Sequence, residues 1–174
     1  FCMGAFPLCW TEAAQAPAVV VNVRDLGAKA DGKTDDRLAI QKAINQAGIA
    51  GGRVLLPPSE TPYLIRGTLG IHRSNVELHG PGAVIKLADR TGNANILTIE
   101  GKPGEPIVGV TVRGLTIDAN YGNQPKASGG RGRAIYVLHA TKVKIDKVTI
   151  KRSYLSLTFG VGATYSEATD CLST

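Results

Sequence analysis

The longest polar stretch of the chain, DANYGNQPKASGGRGRA at 118–134, concentrates side chains whose types suit chemistry. Asp118 could serve as an acid, a base or a calcium ligand. Lys126, Arg131 and Arg133 could pair with the carboxylates of a ligand or stabilise negative charge that develops in a reaction. We therefore predict these four residues as candidate catalytic residues, and we predict no dedicated metal site.

Three further residues are candidates for contact with a ligand. Asn120 and Tyr121 belong to the same polar stretch, and His139 follows in the segment LHATK. We predict all three as substrate-binding residues. A simpler interpretation stays open, in which the stretch is a polar surface loop, Asp118 and Asn120 form the turn after a strand, and His139 faces solvent.

Composition limits the fold and the partners. With 174 residues, Gly 21, Pro 9 and only 5% aromatic residues, the chain favours one all-β domain of short elements joined by turns. Its formal net charge of +6 would attract nucleic acid, an anionic membrane or an acidic polysaccharide. We expect no nucleic-acid partner, because no aromatic platform or recognised basic motif accompanies the charge. No apolar run approaches the ~18 residues that span a bilayer, so we predict no transmembrane segment.

One segment near the start of the chain has a helical pattern. Apolar residues at Ile40, Ala43, Ile44 and Ala47 recur with helical spacing after the aspartate pair of DGKTDD, and Gly48 follows as a stop. The pattern predicts a helix over about 35–47. The aspartates suit its first turn better than a calcium site, since the loop spacing of an EF-hand is absent.

After residue 52 the apolar runs become short and strand-like, and they repeat. Val76, Val110 and Val143 begin similar units at nearly equal intervals along the chain. A repeat of strand, corner, strand and longer excursion indicates coils from about residue 53 that stack on one another with parallel strands. We expect the amphipathic helix to cover the open end of the first coil.

Three segments carry a resemblance to a known group of proteins: VNVRDLGAKADGKTDDRLAIQKAINQA, GGRVLLPPSETPYLIRGTL and SNVELHGPG. Together, over roughly 19–153, they resemble the N-terminal region of the pectate-lyase-like right-handed parallel β-helix superfamily. Within it the chain is similar to the branch of rhamnogalacturonases, polygalacturonases, alginate C5-epimerases and phage tail-spikes. The resemblance implies an all-β, right-handed parallel β-helix (a solenoid) with an N-terminal capping α-helix.

The resemblance also implies a function. It implies a protein that is secreted or lies at the cell surface or in the periplasm, and that acts on an acidic polysaccharide of the pectin or alginate kind. In such a protein the cations of 118–134 would face uronate carboxylates, and Tyr121 would stack on a sugar ring. No cofactor is required for this chemistry, although calcium is possible. The alternative is a polysaccharide-binding structural β-helix, such as an adhesin or a tail-spike, which would be a trimer in the tail-spike case.

The reaction class is less defined than the fold. Alginate epimerases resemble the chain through LTIDAN and a lysine near Lys126, but their signature of a tyrosine followed by Asp-Pro-His-Glu is replaced here by SYLSLTFGVGATY. That replacement argues against epimerase chemistry. A glycoside hydrolase needs two carboxylates about 5 to 9.5 Å apart, for which Asp118 and Asp146 are the evident candidates. A lyase or a hydrolase therefore stays open.

The ends of the chain lead to expectations about its organisation. Residues 1–18 have the character of an N-terminal arm or a signal-peptide remnant, and 19–174 are expected to form the β-helix domain. The chain starts without methionine and ends in a strand-like run. We therefore expect a C-terminally truncated piece of a longer protein.

Overall fold

A computed structural model of the protein describes residues 19–92, 94–125 and 132–174. The residues predicted as an N-terminal arm, 1–18, lie outside the described residues. The one α-helix described, α1, spans Arg37–Ala50, and short 3-10 turns occupy Val23–Leu26 and Tyr121–Asn123. The strands are β1 (Val19–Asn22), β2 (Gly52–Leu55), β3 (Tyr63–Ile65), β4 (Leu69–Ile71), β5 (Val76–His79), β6 (Val84–Leu87), β7 (Leu97–Glu100), β8 (Ile107–Val108), β9 (Thr111–Arg113), β10 (Thr116–Asp118), β11 (Arg133–Leu138), β12 (Ala140–Thr141), β13 (Lys144–Asp146), β14 (Thr149–Lys151), β15 (Leu155–Phe159), β16 (Glu167–Thr169) and β17 (Leu172–Ser173).

The strands form three main sheets in which every neighbour is parallel. The first sheet has the order β1-β2-β5-β9-β13-β16, the second β3-β6-β10-β14-β17 and the third β4-β7-β11-β15, with β8 and β12 as a separate pair. Each sheet gains one strand every time the chain passes round, so the passes stack as coils. The predicted fold class, a parallel β-helix, is confirmed.

The coils differ in length, and the difference locates the excursions. Glu77 pairs with Thr111 and Thr111 with Lys144, at the spacing of the predicted repeat. The next coil is much shorter, because Lys144 already pairs with Glu167. The additional residues of the long coils lie between strands, and residues 119–125, which follow β10, are part of one such connection.

The core is built from the inward-facing residue of each strand. Val54, Leu78, Val112 and Ile145 pair in register on successive coils and are all 0% exposed. Because side chains alternate across a strand, their neighbours in sequence face outward. These outward residues, and the loops between the sheets, are what a ligand can reach.

Helix α1 begins and ends slightly later than predicted, since it spans Arg37–Ala50. Its buried residues, Ile40, Ala43, Ile44 and Ala47, are the predicted apolar stripe and belong to the same core as the strands. Gly48 does not end the helix but lies inside it, where a Cβ would come within 2.7 Å of the Arg73 side chain. The glycine therefore allows the Arg73 side chain to pack closely against the helix and does not terminate it.

The segment around α1 also supplies hydrogen bonds to the edge of the first coil. The Asp36 N–H donates to the carbonyl of Leu64 in β3, and Asp35 accepts from the backbone N–H groups of Arg37 and Arg66. The side-chain amide of Gln41 accepts from the Gly70 N–H and donates to the Gly70 carbonyl, at 2.8 Å each, in β4. We infer that this segment covers the end of the core with polar as well as apolar contacts.

The corners between sheets use left-handed backbone at equivalent positions. Gly114, Lys147 and Asp170 have φ of 71°, 52° and 50° and follow β9, β13 and β16. Arg152, which directly follows β14, and Asn120, which is the second residue after β10, also have left-handed backbone, both with φ of 50°. At these corners the Tyr121 N–H donates to the Arg152 carbonyl, which brings the start of the polar stretch beside the next coil. Among the described residues, no helix combines the length and the apolar content that crossing a bilayer requires.

Candidate functional site

The described part of the polar excursion after β10, residues 119–125, lies at the corner between the second and third sheets and hydrogen-bonds to the coils before and after it. We use the name corner site for Asp118, Asn120, Tyr121, Arg133, Arg152 and Tyr154. These residues come from β10 and the loop after it, from the start of β11, and from the turn between β14 and β15. Two coils therefore contribute its side chains.

Asp118 is the acidic residue of the corner site, and its carboxylate is fully engaged. Its Oδ1 accepts from the Nε of Arg152 at 2.9 Å and from the backbone N–H of Asn120 at 3.0 Å, while Oδ2 accepts from Nη2 of Arg152. Only 9% of the Asp118 side chain is exposed, against 57% for Arg152. Hydrogen bonding to Asp118, followed by its negative charge, raises the pKa of Arg152 above its usual value. The catalytic role of Asp118 stays a prediction.

Asn120 is buried and ties the excursion to the coil before it. Its side-chain amide donates to the carbonyl of Leu87 at 2.9 Å and to Oδ1 of Asp89 at 2.7 Å, and its Oδ1 accepts from Asn123. Asparagine tolerates the left-handed backbone that this corner needs. With 1% exposure, Asn120 holds the loop in shape and offers little surface to a ligand.

Tyr121 is the exposed aromatic residue of the site. Its ring lies 5.5 Å from that of Tyr154, tilted by 42°, and the two side chains are 48% and 39% exposed. The Tyr121 N–H donates to the carbonyl of Arg152, which connects the two coils beside this ring pair. The pair forms an exposed aromatic surface next to a cation.

Arg133, at the start of β11, lies over a second tyrosine. Its guanidinium carbon is 4.3 Å from the ring centroid of Tyr136, and its Nε is buried without a hydrogen-bond partner in the described part of the chain. In register, Arg133 pairs with Leu155, the residue directly after Tyr154. The structure therefore brings Arg133 to the same corner as Tyr121 and Arg152.

The other predicted residues are not part of this arrangement. Lys126 and Arg131 lie outside the described residues, so their roles stay predictions. His139 follows the far end of β11, about 20 Å from Arg133 at ~3.3 Å per strand residue. Its imidazole approaches Gly162 of the next coil, where a Cβ would come within 2.6 Å of Nδ1. The structure does not bring His139 together with the corner site.

An open depression lies beside the corner site. It has a volume of about 410 Å³ and is lined by Asp89, Arg90 and the segment 122–125. On the adjoining face of the second sheet, Lys86 and Lys151 pair in register with Asp118 from either side. Asp118 is paired with Arg152, and the lining carries one carboxylate, Asp89, and one guanidinium, Arg90, so Lys86 and Lys151 give the surroundings an excess of positive charge.

Sequence reasoning missed Arg152 and Tyr154. The signal was present in the repeat, because one repeat interval after Asp118 the chain reaches Lys151, and Arg152 and Tyr154 follow closely. In residues 19–92, 94–125 and 132–174, no group of three or more His, Cys, Asp or Glu side chains is placed to hold a metal ion.

The stacked parallel coils and the polar corner between two sheets define a pectate lyase-like β-helix protein. Residues 20–168 match the model of the family described as rhamnogalacturonase A/epimerase, pectate lyase-like, and the chain belongs to that family.

Similar proteins include enzymes and an adhesin. The chain is 43% identical over 115 residues to mannuronan C5-epimerase AlgE6 of Azotobacter vinelandii, covering 59% of this chain and 13% of that protein. It is 35% identical over 144 residues to alginate lyase 7 of the same organism, covering 74% of this chain and 17% of that protein. The crystal structure of PfbA, a surface adhesin of Streptococcus pneumoniae, matches with a TM-score of 0.62 and 26% identity, covering 86% of this chain and 39% of that chain. The chain thus spans 13% and 17% of the two curated enzymes.

Proposed function

We propose that the protein acts outside the cell or at its surface on an acidic polysaccharide of the pectin or alginate kind, and that the corner site binds this polymer. The observation that carries the proposal is the exposed Tyr121–Tyr154 pair beside the half-exposed guanidinium of Arg152. The exposed face of a tyrosine ring suits the apolar face of a sugar ring, and a guanidinium suits a uronate carboxylate. Similarity to an alginate lyase and to a mannuronan epimerase supports an acidic polymer.

The surrounding charge supports the same ligand. Lys86 and Lys151 flank the paired Asp118 on the second sheet, and Arg133 lies at the start of the third. The formal net charge of +6 adds a long-range attraction for a polyanion. This attraction is screened by salt over about 10 Å at 0.1 M, so binding should weaken as salt is added.

The proposed reaction is that of a lyase or a glycoside hydrolase. A lyase needs a cation on the uronate carboxylate and a base for the C5 proton. Arg133 and Arg152 can supply the first role, and Tyr121 is a candidate for the second at the same corner. A misplacement of the reacting groups by about 1 Å can reduce a rate by about 100-fold. Because Asp118 is already paired with Arg152, we expect the chain on its own to be a weak catalyst.

A second candidate function is binding of the polysaccharide without cleavage. The observation that favours binding without cleavage, though not the choice of ligand, is the similarity to plasmin and fibronectin-binding protein A of S. pneumoniae, at 28% identity over 152 residues, or 77% of this chain. The engagement of Asp118 with Arg152 also removes one carboxylate from the set that could do acid or base chemistry.

The binding test compares acidic with neutral polymers. Polygalacturonate and alginate immobilised on a resin should retain the protein at low salt and release it as salt rises, whereas dextran should not retain it. Arg152→Gln should weaken binding about tenfold, the loss of roughly 1.4 kcal/mol, and Arg73→Gln, outside the corner site, should have little effect. Equal retention on dextran and on the acidic polymers would refute the proposal.

The catalytic test follows the ultraviolet absorbance of unsaturated product from pectate, alginate or rhamnogalacturonan, with and without calcium. New reducing ends without that absorbance would indicate a hydrolase. Neither signal, together with salt-sensitive retention, would favour the binding function.

A further inference from the structure

Asp118 does not have the surroundings of a group that exchanges protons with a substrate. Both of its oxygens accept hydrogen bonds from Arg152, and Oδ1 accepts a further one from the Asn120 N–H. Its side chain is 9% exposed. With these hydrogen bonds already made, the carboxylate has little surface left for a ligand.

Arg152 is held at several points and still reaches solvent. It has left-handed backbone, with φ of 50°, which is uncommon for a residue with a long side chain. Its carbonyl accepts from the Tyr121 N–H at 2.9 Å, and its own N–H donates to the carbonyl of Thr174 at 3.0 Å. More than half of its side chain is exposed, at 57%. The guanidinium is therefore oriented from one side by Asp118 and open on another.

We propose that Asp118 is a positioning residue. Its buried carboxylate accepts two hydrogen bonds from the guanidinium of Arg152 and orients that group towards a carboxylate of the bound polymer. The inference rests on the proposed function of the corner site. These two hydrogen bonds restrict the rotamers of the Arg152 side chain before the ligand binds, so less conformational entropy is lost on binding.

The positioning role and the net charge of the face predict opposite changes in polymer affinity when the charge of Asp118 is removed. Asp118 lies in register between Lys86 and Lys151 on a face expected to bind a polyanion. Removing its negative charge should strengthen binding if only the net charge of the face matters. Removing it should weaken binding if Asp118 orients Arg152.

The experiment measures binding of a short polygalacturonate or alginate oligomer by calorimetry at low salt for a set of matched variants. Asp118→Asn keeps the shape of the side chain but removes the negative charge that pairs with Arg152. We expect this variant to bind the oligomer about tenfold more weakly. Asp25→Asn, in an exposed turn after β1, is the charge control and should bind as tightly as the wild type or slightly more tightly. Asp118→Asn binding as tightly as Asp25→Asn would overturn the inference.

The double variant tests whether Asp118 acts through Arg152. In a background of Arg152→Gln, the further change Asp118→Asn should have no added effect, because the group that Asp118 orients is already gone. Fully additive losses would contradict the inference. Arg152→Lys keeps the charge and loses the two-point geometry, so it should also bind about tenfold more weakly; wild-type affinity in this variant would overturn the inference even if Asp118→Asn were poorly folded.

A measurement without polymer separates this inference from the proposed function. Phenylglyoxal modifies accessible guanidinium groups, and mass spectrometry can report its rate at Arg152 and, as an internal reference, at the exposed Arg90. Asp118→Asn should increase modification at Arg152 severalfold and leave Arg90 unchanged. Unchanged modification at Arg152 would refute the positioning role, whereas increased modification with no polymer binding by the wild type would refute only the proposed function.

Discussion

Gln41 gives a direct test of how the first coil is covered. Its side-chain amide makes two hydrogen bonds of 2.8 Å to the N–H and C=O of Gly70, in the manner of a neighbouring strand, and a third of 3.0 Å to Asn45. Gly70 lies in β4, the edge strand of the third sheet. An uncovered strand edge presents unpaired backbone groups that favour association with other chains. Gln41→Ala removes the cover while leaving a good helix former.

The magnitude follows from the two bonds to Gly70. Each is worth about 1 kcal/mol net, and the Gly70 backbone is only half-buried, so water can partly replace the lost partner. We expect Gln41→Ala to lower the free energy of unfolding by about 2 kcal/mol. For a domain of this size the corresponding fall in Tm is about 4 to 8 °C. Calorimetry and urea titration followed by circular dichroism would measure it.

Two variants control the test. Gln46→Ala makes the same chemical change at an exposed position of α1 and should change the free energy of unfolding by less than about 0.5 kcal/mol. Gln41→Glu keeps the shape, and its carboxyl can donate to the Gly70 carbonyl only when protonated. Its folded-state pKa should therefore lie above the unfolded value, so the stability of this variant relative to the wild type should be retained at pH 4 and lost as the pH rises to 7. Equal stability of Gln41→Ala and Gln46→Ala would refute the covering role of Gln41.

Three further predictions concern the core, the corners and pH. Ile44→Asp should cause aggregation, detected by light scattering, because it places a charge in the core, whereas Asn45→Asp on the exposed side of α1 should scatter light as the wild type does. Gly114→Ala should lower the free energy of unfolding by about 1 kcal/mol, because φ is +71° although a Cβ would meet no atom closer than 3.7 Å, while Gly122→Ala, with open space around it, should be neutral by urea titration. Burial, followed by the charge of Arg113, lowers the pKa of His79 from its usual 6.5, so stability should be complete above about pH 6.5 and decline as the pH falls. His79→Gln should flatten that acid-side decline in a series of thermal melts, and an unchanged slope would contradict the assignment.

Much of the fold could be predicted because its signals are local or periodic. The apolar stripe Ile40, Ala43, Ile44 and Ala47 has the period of a helix, and the repeat interval read from the sequence matches the register of the middle coils. The short coil between β13 and β16 was not predictable from that repeat, because loops can lengthen or shorten a coil without changing which strands pair. The role of Gly48 was misread for a related reason. Its close contact with Arg73 depends on how the helix packs, which the helix's own residues do not reveal.

The corner site shows where sequence reasoning reached its limit. Asp118, Asn120, Tyr121 and Arg133 were found from their residue types, but types alone could not separate an exposed carboxylate from one already paired. The paired Arg152 has left-handed backbone, a conformation that favours glycine and asparagine and that no propensity assigns to arginine. Asp118 holds this arginine in place, and the Tyr121 N–H holds its carbonyl. The Asp118–Arg152 pair is thus formed by contacts between coils. It determines which side of the guanidinium a ligand can reach, and the residues next to Asp118 in sequence do not predict it.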